Sequence, residues 1–394
     1  SGNMQTGLLL HSTFRIFDFA KIRSLDKTQT SLRFVLAYSY LCISVSYTEL
    51  GAMNLQPTQI DALHELLARP QQRIVIVSHT NPDGDAIGSS LTWAAMLRTL
   101  GHTVTCIVPN KYPYFLDWMR GIDEVVIFRT DETGRAAHAI AEADQIHCLD
   151  FNTLSRLENL SETIASNTTA RRVLIDHHLA PGPEFDLQLS FPDSCSTCFV
   201  VYSLIEALWG TQAITEEMAE LLYVGIMTDT GNFAYSFLTP ELFRAVAVLI
   251  ERGIRIPEIH NSVYNSYTEG RARLFGYVIN RKMETIEGGK AAYMSLMEHE
   301  MRRFHFQQGD SEGFVNYPLT IKKMKMSAMF SAHHKFIRVS LRSRADVDVN
   351  LFARKYFNGG GHKNAAGGKS FVSMEETIQH YIRSVREFAA DGFL

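Results

Sequence analysis

Short apolar runs recur through the first half of the chain, and most are separated by windows with helical spacing. The first is Arg73-Ile74-Val75-Ile76-Val77. Continuous apolar runs of this length read as strands buried on both faces. A helical window over 86–100 follows, and then the strand TVTCIVP ends the next unit. Further strands are predicted at EVVIF (124–128), QIHCLD (145–150) and RVLID (172–176). Strands alternating with helix-length segments predict βαβ units and a parallel, doubly wound α/β sheet. Helices are predicted over 199–209, 216–227 and 240–252, and the segment from Met53 toward the first strand also has helix periodicity.

The pattern changes after Gly253. Residues 257–270 read as polar and helical. Strands then dominate, at KAAYMSLM, KMSAMFSAHH, KFIRVSLRS and GGKSFVS, with helices over 349–356 and 374–389. This reads as a smaller α+β domain. The expected organisation is an extension of doubtful origin over 1–52, an α/β domain over 53–253, a linker over 254–275 and a second domain over 276–394, with the active site in the interdomain cleft.

Charge changes this picture locally. The whole chain carries −4, yet Ile321–Lys369 holds eleven Lys/Arg against two Asp/Glu, a net +9. Such a segment is either a solvated basic face or a surface for a phosphate-bearing substrate. Five cysteines in 394 residues form no disulfide framework and fit a reducing cytoplasm. The lone Cys195/Cys198 pair reads as small buried residues. No run reaches the roughly 18 apolar residues of a membrane span.

Four strand or helix ends carry acids and histidines. Past the first strand come His79, Asp83 and Asp85, with Pro82 and Gly84 turning the chain. Asp150 ends another strand, Asp176, His177 and His178 a third, and Asp229 follows a helix. Residues just past the carboxyl ends of such strands lie where open α/β sheets bind ligands. Five carboxylates and three histidines on one edge could not stay charged without cations between them. Mixed Asp/His ligation suits manganese or a related divalent ion. Two ions would hold a phosphate and a hydroxide, with Asp150 as the natural bridge. Near the C-terminus, Gly359-Gly360-Gly361 precede His362 and Lys363, so backbone amides could approach a ligand closely. Arg342-Ser343 adds a candidate phosphate contact.

Together these residues resemble the DHH phosphoesterase family, named for the triplet Asp176-His177-His178, and its DHH-associated C-terminal domain. The arrangement is most similar to the NrnA-type branch, oligoribonucleases that are also pAp phosphatases. The resemblance covers about Met53 to the C-terminus. It implies that His79, Asp83 and Asp150 hold one manganese ion, and Asp85, Asp150, His177 and Asp229 a second. Asp176 would orient a histidine, and His178 would face the scissile phosphate. His362, Arg342 and Ser343, with Gly360 and Gly361, would grip the substrate, while Asn364 supports the turn. It further implies a cytoplasmic enzyme, pairing of two subunits, and hydrolysis of short RNA, linear dinucleotides such as pApA, and pAp to nucleoside monophosphates. Cyclic dinucleotides and polyphosphate are the alternative substrates, and a non-catalytic nucleotide-binding protein is the alternative class. Residues 1–52 have no counterpart in the family, and Asn316 stands where relatives often carry an acid.

Overall fold

A computed structural model describes residues 53, 55–234 and 237–394; the extension expected over 1–52 lies outside the described residues. The first helix of the described residues, α1 (Pro57–Leu67), starts at a proline, whose missing N–H costs nothing in a first turn. Then follow β1 (Arg73–Val77), α2 (Gly84–Thr99), β2 (Thr103–Val108), β3 (Val126–Ile127), α3 (Arg135–Ala141), β4 (Gln145–Leu149), α4 (Leu160–Ser166), β5 (Arg171–Asp176) and β6 (Leu187–Ser190). The six strands form one parallel sheet in the order β3-β2-β1-β4-β5-β6. This is the doubly wound arrangement expected from the alternating pattern, and the strand order reverses between β1 and β4.

The sheet departs from the expectation at its edges. Only Val126 and Ile127 of the EVVIF run pair with β2, because 3-10 turns at Ile122–Glu124 and Phe128–Thr130 take up its ends. Conversely, the short and half-polar LQLS segment adds the edge strand β6, which the pattern of apolar runs did not single out.

Three further helices follow: α5 (Thr197–Trp209), α6 (Glu216–Asp229) and α7 (Pro240–Glu251). Of these, α5 and α6 pack against α2, of whose 16 residues 13 are buried. A helix buried on nearly every side carries little amphipathic signal. It is pinned to the sheet by a polar contact. Trp93 Nε1 donates to His147 Nδ1 at 2.8 Å, and His147 Nε2 lies 2.9 Å from Gln145 Oε1. That pattern makes His147 a neutral ring with its proton on Nε2, and burial holds its pKa down to about 3. The bond ties the helix that carries Asp85 to the strand that delivers Asp150. Trp93→Phe should therefore cost about 1–3 kcal/mol, since a buried acceptor loses its donor; a lowered Tm in thermal unfolding would show it.

Helices α8 (Ile256–Tyr264) and α9 (Glu269–Tyr277) lead into the second half. There β7 (Glu284–Ile286), β8 (Ala291–Leu296), α10 (Glu298–Arg303), β9 (Met326–His333), β10 (Phe336–Ser343), α11 (Val349–Tyr356), β11 (Gly360–His362), β12 (Ala365–Ser370) and α12 (Met374–Ala390) follow in order. The sheet runs β11-β12-β10-β9-β8-β7 and is antiparallel except between β8 and β9. Phe330, Phe352, Tyr381 and Phe388 fill its core. Both sheets lie within one compact unit, Gly51–Leu394. Among the described residues no helix is long and apolar enough to cross a membrane.

Candidate metal centre

The strand-end acids and histidines converge beside the β1/β4 reversal, the position where doubly wound sheets open a crevice. From the β1 side come His79, Asp83 and Asp85. Asp83 caps α2, accepting at 3.1 Å from the amides of Asp85 and Ala86. The helix thus begins at Gly84, two residues earlier than the sequence suggested. A Cβ at Gly84 would stand 2.5 Å from Thr228 Oγ1, so this glycine permits α2 to meet α6, in addition to turning the chain.

Asp150 is the hub. It is 2% exposed and adopts φ +66°, a backbone state that few residues other than glycine, asparagine and aspartate accept. One carboxylate oxygen faces His79 Nε2 at 3.4 Å. The other faces His177 Nε2 at 3.5 Å and His178 Nδ1 at 3.9 Å, and accepts from Thr197 Oγ1 at 2.9 Å. Strain of this kind persists only where the surroundings over-determine it.

The two ligand-type histidines are oriented alike. His79 Nδ1 lies 3.0 Å from the Thr80 carbonyl and His177 Nδ1 lies 3.3 Å from that of Ser194. A proton on each Nδ1 leaves each Nε2 free to ligate. His177 Nε2 also lies 3.2 Å from Asp229 Oδ2 and 3.9 Å from Asp85. Asp85 is fully buried, and its two oxygens accept from the Thr197 and Cys198 amides at 2.6 and 2.8 Å. These amides open α5, where the helix dipole favours an anion. Thr197 lies outside the strand-end pattern, but with Ser196 it matches a polar segment that the family resemblance puts near the active site, and Ser196 caps the helix. Asp176 holds His178, with Oδ1 2.7 Å from Nδ1, and its buried Oδ2 has no hydrogen-bond partner among the described residues.

Among the described residues four donor groups have ligand atoms within 4.8 Å of one another, and two of them, His79/Asp83/Asp150 and Asp85/His177/Asp229, are made of expected ligands only. Their electrostatics calls for a cation. Burial, reinforced by Asp150, pushes the Asp85 carboxyl up to about 8. Burial and Asp85 push Asp229 well above the carboxylate range. Burial opposes ionisation of Asp150 too, yet His177 and His79 hold it well below that range. His177 rises well above its ordinary value, the pull of Asp150 and Asp229 outweighing burial. Protons here do what cations between the carboxylates would do better: Asp85 already accepts two backbone bonds and is built to be anionic. The donor set, carboxylate oxygens with two free imidazole nitrogens, fits divalent metal ions.

The second domain closes over this centre. The His362 ring sits 4.7 Å from that of His177 and 4.5 Å from that of His178. Burial and the neighbouring His178 drive its pKa down to about 2, so it is a neutral ring. Arg342 and His362 line a cleft of about 860 Å³ together with Asp83 and Asp229. Lys369 reaches Glu158 of the first domain at 3.0 Å.

The remaining expected substrate residues stand elsewhere. Ser343 is buried, donates to the Val347 carbonyl at 2.6 Å and accepts from Asn364 Nδ2 at 2.9 Å, so it braces the turn and does not line the cleft. The Gly361 amide donates to Asn350 Oδ1 at 3.0 Å. With φ +147° and a notional Cβ 2.5 Å from the Ala365 carbonyl, Gly361 serves the close crossing of β11 and β12. Gly360 pairs with Gly367 in the same hairpin. Cys195 and Cys198 are both buried free thiols, as their spacing suggested.

Comparison with known proteins agrees with this anatomy. Residues 73–226 match the DHH family N-terminal domain, and residues 288–391 match the DHHA1 domain. The bifunctional oligoribonuclease and PAP phosphatase NrnA of Thermus thermophilus is 28% identical over 82% of this chain and 92% of its own length. Its Bacillus subtilis namesake is 26% identical over 77% of this chain and 90% of its own. The crystal structure of an exopolyphosphatase-related protein from Bacteroides fragilis is 38% identical, covers 86% of this chain and 98% of its own, and superposes with a TM-score of 0.79. With both family domains present in order and the acidic, histidine-rich centre between them, the chain belongs to the DHH family and is a metal-dependent phosphoesterase.

Proposed function

We propose that this chain is a manganese-dependent phosphodiesterase and phosphatase that converts short oligoribonucleotides, linear dinucleotides and pAp to nucleoside monophosphates. The observation that carries the reading is the position of Asp150, buried and facing three histidines, next to a cleft lined by Asp83, Asp229, Arg338 and Arg342. A carboxylate-rich centre beside guanidinium groups suits a substrate with an internal phosphate. The relatives named for oligoribonuclease and PAP phosphatase activity support the substrate class.

In this reading His79, Asp83 and Asp150 hold one ion, and Asp85, Asp150, His177 and Asp229 the other. Two such ions would lower the pKa of water and neutralise phosphate charge. The chain's own groups do the rest. The Thr80 and Ser194 carbonyls fix the tautomers of His79 and His177. Asp176 fixes His178 through Nδ1, so that its Nε2 can hold a proton for the leaving oxygen. His362 and Arg342 position the phosphate from the second domain. The four described cysteines, all free, fit work in the reducing cytoplasm.

Purified protein assayed with pApA, pAp, short RNA, cyclic di-AMP and polyphosphate should cleave the first three with manganese. EDTA should reduce each rate to background and added manganese should restore it. Preference for polyphosphate over every nucleotide would overturn the substrate assignment.

A further inference from the structure

The far wall of the cleft is aromatic, and nothing in the hydrolytic centre uses it. Arg271 and Phe275 lie one turn apart on α9 and both line the cleft. The Arg271 guanidinium stacks 3.5 Å from the Tyr267 ring centroid and donates to the Glu312 carbonyl at 2.9 Å. Phe275 packs on buried Phe314 at 5.0 Å and meets Tyr317 edge-on at 5.1 Å and 89°. Tyr317, carried by the 3-10 turn Phe314–Thr320, remains 42% exposed although it is backed by this cluster. An aromatic ring supported from behind and open to a polar cleft is a stacking platform: a rigid π-face loses little entropy when a flat ligand covers it.

A polar side chain edges this wall. The Glu312 carboxylate lies in the same cleft, within electrostatic reach of Asp83 as well as Arg338, Arg271 and Arg342. Burial, reinforced by Asp83, pushes the Glu312 carboxyl up to about 8, and its oxygens can accept hydrogen bonds from ring N–H or amino groups. Polyphosphate would find no use for either feature. We propose that Tyr317, supported by Phe275 and edged by Glu312, is a nucleobase-stacking subsite, so that the enzyme recognises one base of its substrate in addition to the phosphate. This rests on the nucleotide reading above and deepens it.

The test measures binding, so it does not depend on turnover. Calorimetry on the full chain in calcium buffer compares pApA with its two analogues lacking the 5′ or the 3′ base. The wild type should bind pApA about tenfold or more tightly than one of the analogues, the scale of one stacked base. Tyr317→Leu should shrink that ratio to about twofold or less, and Tyr317→Phe should keep it. Equal affinity of the wild type for all three ligands, or a ratio unchanged in a folded Tyr317→Leu variant, overturns the subsite. If the ratio behaves as expected while no phosphate ester is hydrolysed, the proposed reaction falls and the subsite stands.

Discussion

Asp150→Asn should lower turnover of a dinucleotide on the order of 10³-fold while leaving the protein folded, the scale seen when one element of a preorganised charged site is lost. The substitution keeps the side-chain shape and removes the charge that faces His79, His177 and His178. Asparagine is the right replacement because position 150 adopts φ +66°. Asparagine tolerates the left-handed region, whereas alanine would add strain and confuse a folding defect with a chemical one. Thermal unfolding and circular dichroism establish that the variant is folded; steady-state kinetics with manganese give the loss. A variant within about tenfold of wild type would remove Asp150 from the centre of the mechanism.

The legibility of Asp150 from sequence has a physical cause. A buried parallel strand must be apolar along its length, so a carboxylate at its end stands out against the run. The same contrast exposed His79, Asp176, His177 and His178, and the sheet class with them. What stayed hidden were features made by contact between distant segments. The resemblance put Thr197 near the site, but its bonds to both Asp85 and Asp150 were not readable from the chain. His147, inside the predicted strand QIHCLD, is a fully buried structural acceptor for Trp93, a role no local pattern announces. The glycines before His362 suggested amides for a ligand, whereas the Gly361 amide is committed to Asn350 and the hairpin needs its missing side chain. The aromatic wall of the cleft assembles from α9 and the turn at Phe314–Thr320, some forty residues apart in the chain, and no local pattern announces it.

Gly225→Ala should damage stability and activity together, although residue 225 is not a ligand. It lies on α6 where that helix crosses α5 and α2, and a Cβ there would stand 2.2 Å from Cys198 Sγ and 2.7 Å from Asp85 Oδ1. Both neighbours are fully buried, so neither can move into solvent. Overpacking of this kind costs about 1–3 kcal/mol and sometimes more. The strain falls on the Cys198 amide that holds Asp85, which displaces one candidate ligand. Gly276→Ala is the matched control. Residue 276 is also helical, on α9, but among the described residues nothing lies within 4 Å of a notional Cβ. Alanine there should stabilise by about 0.5–1 kcal/mol through helix propensity and leave hydrolysis unchanged. Opposite shifts in Tm for the two variants, with kcat lost in Gly225→Ala alone, are the expected pair. A Gly225→Ala protein that melts and turns over like wild type would show that α6 can yield at this crossing, and that the close approach does not position Asp85.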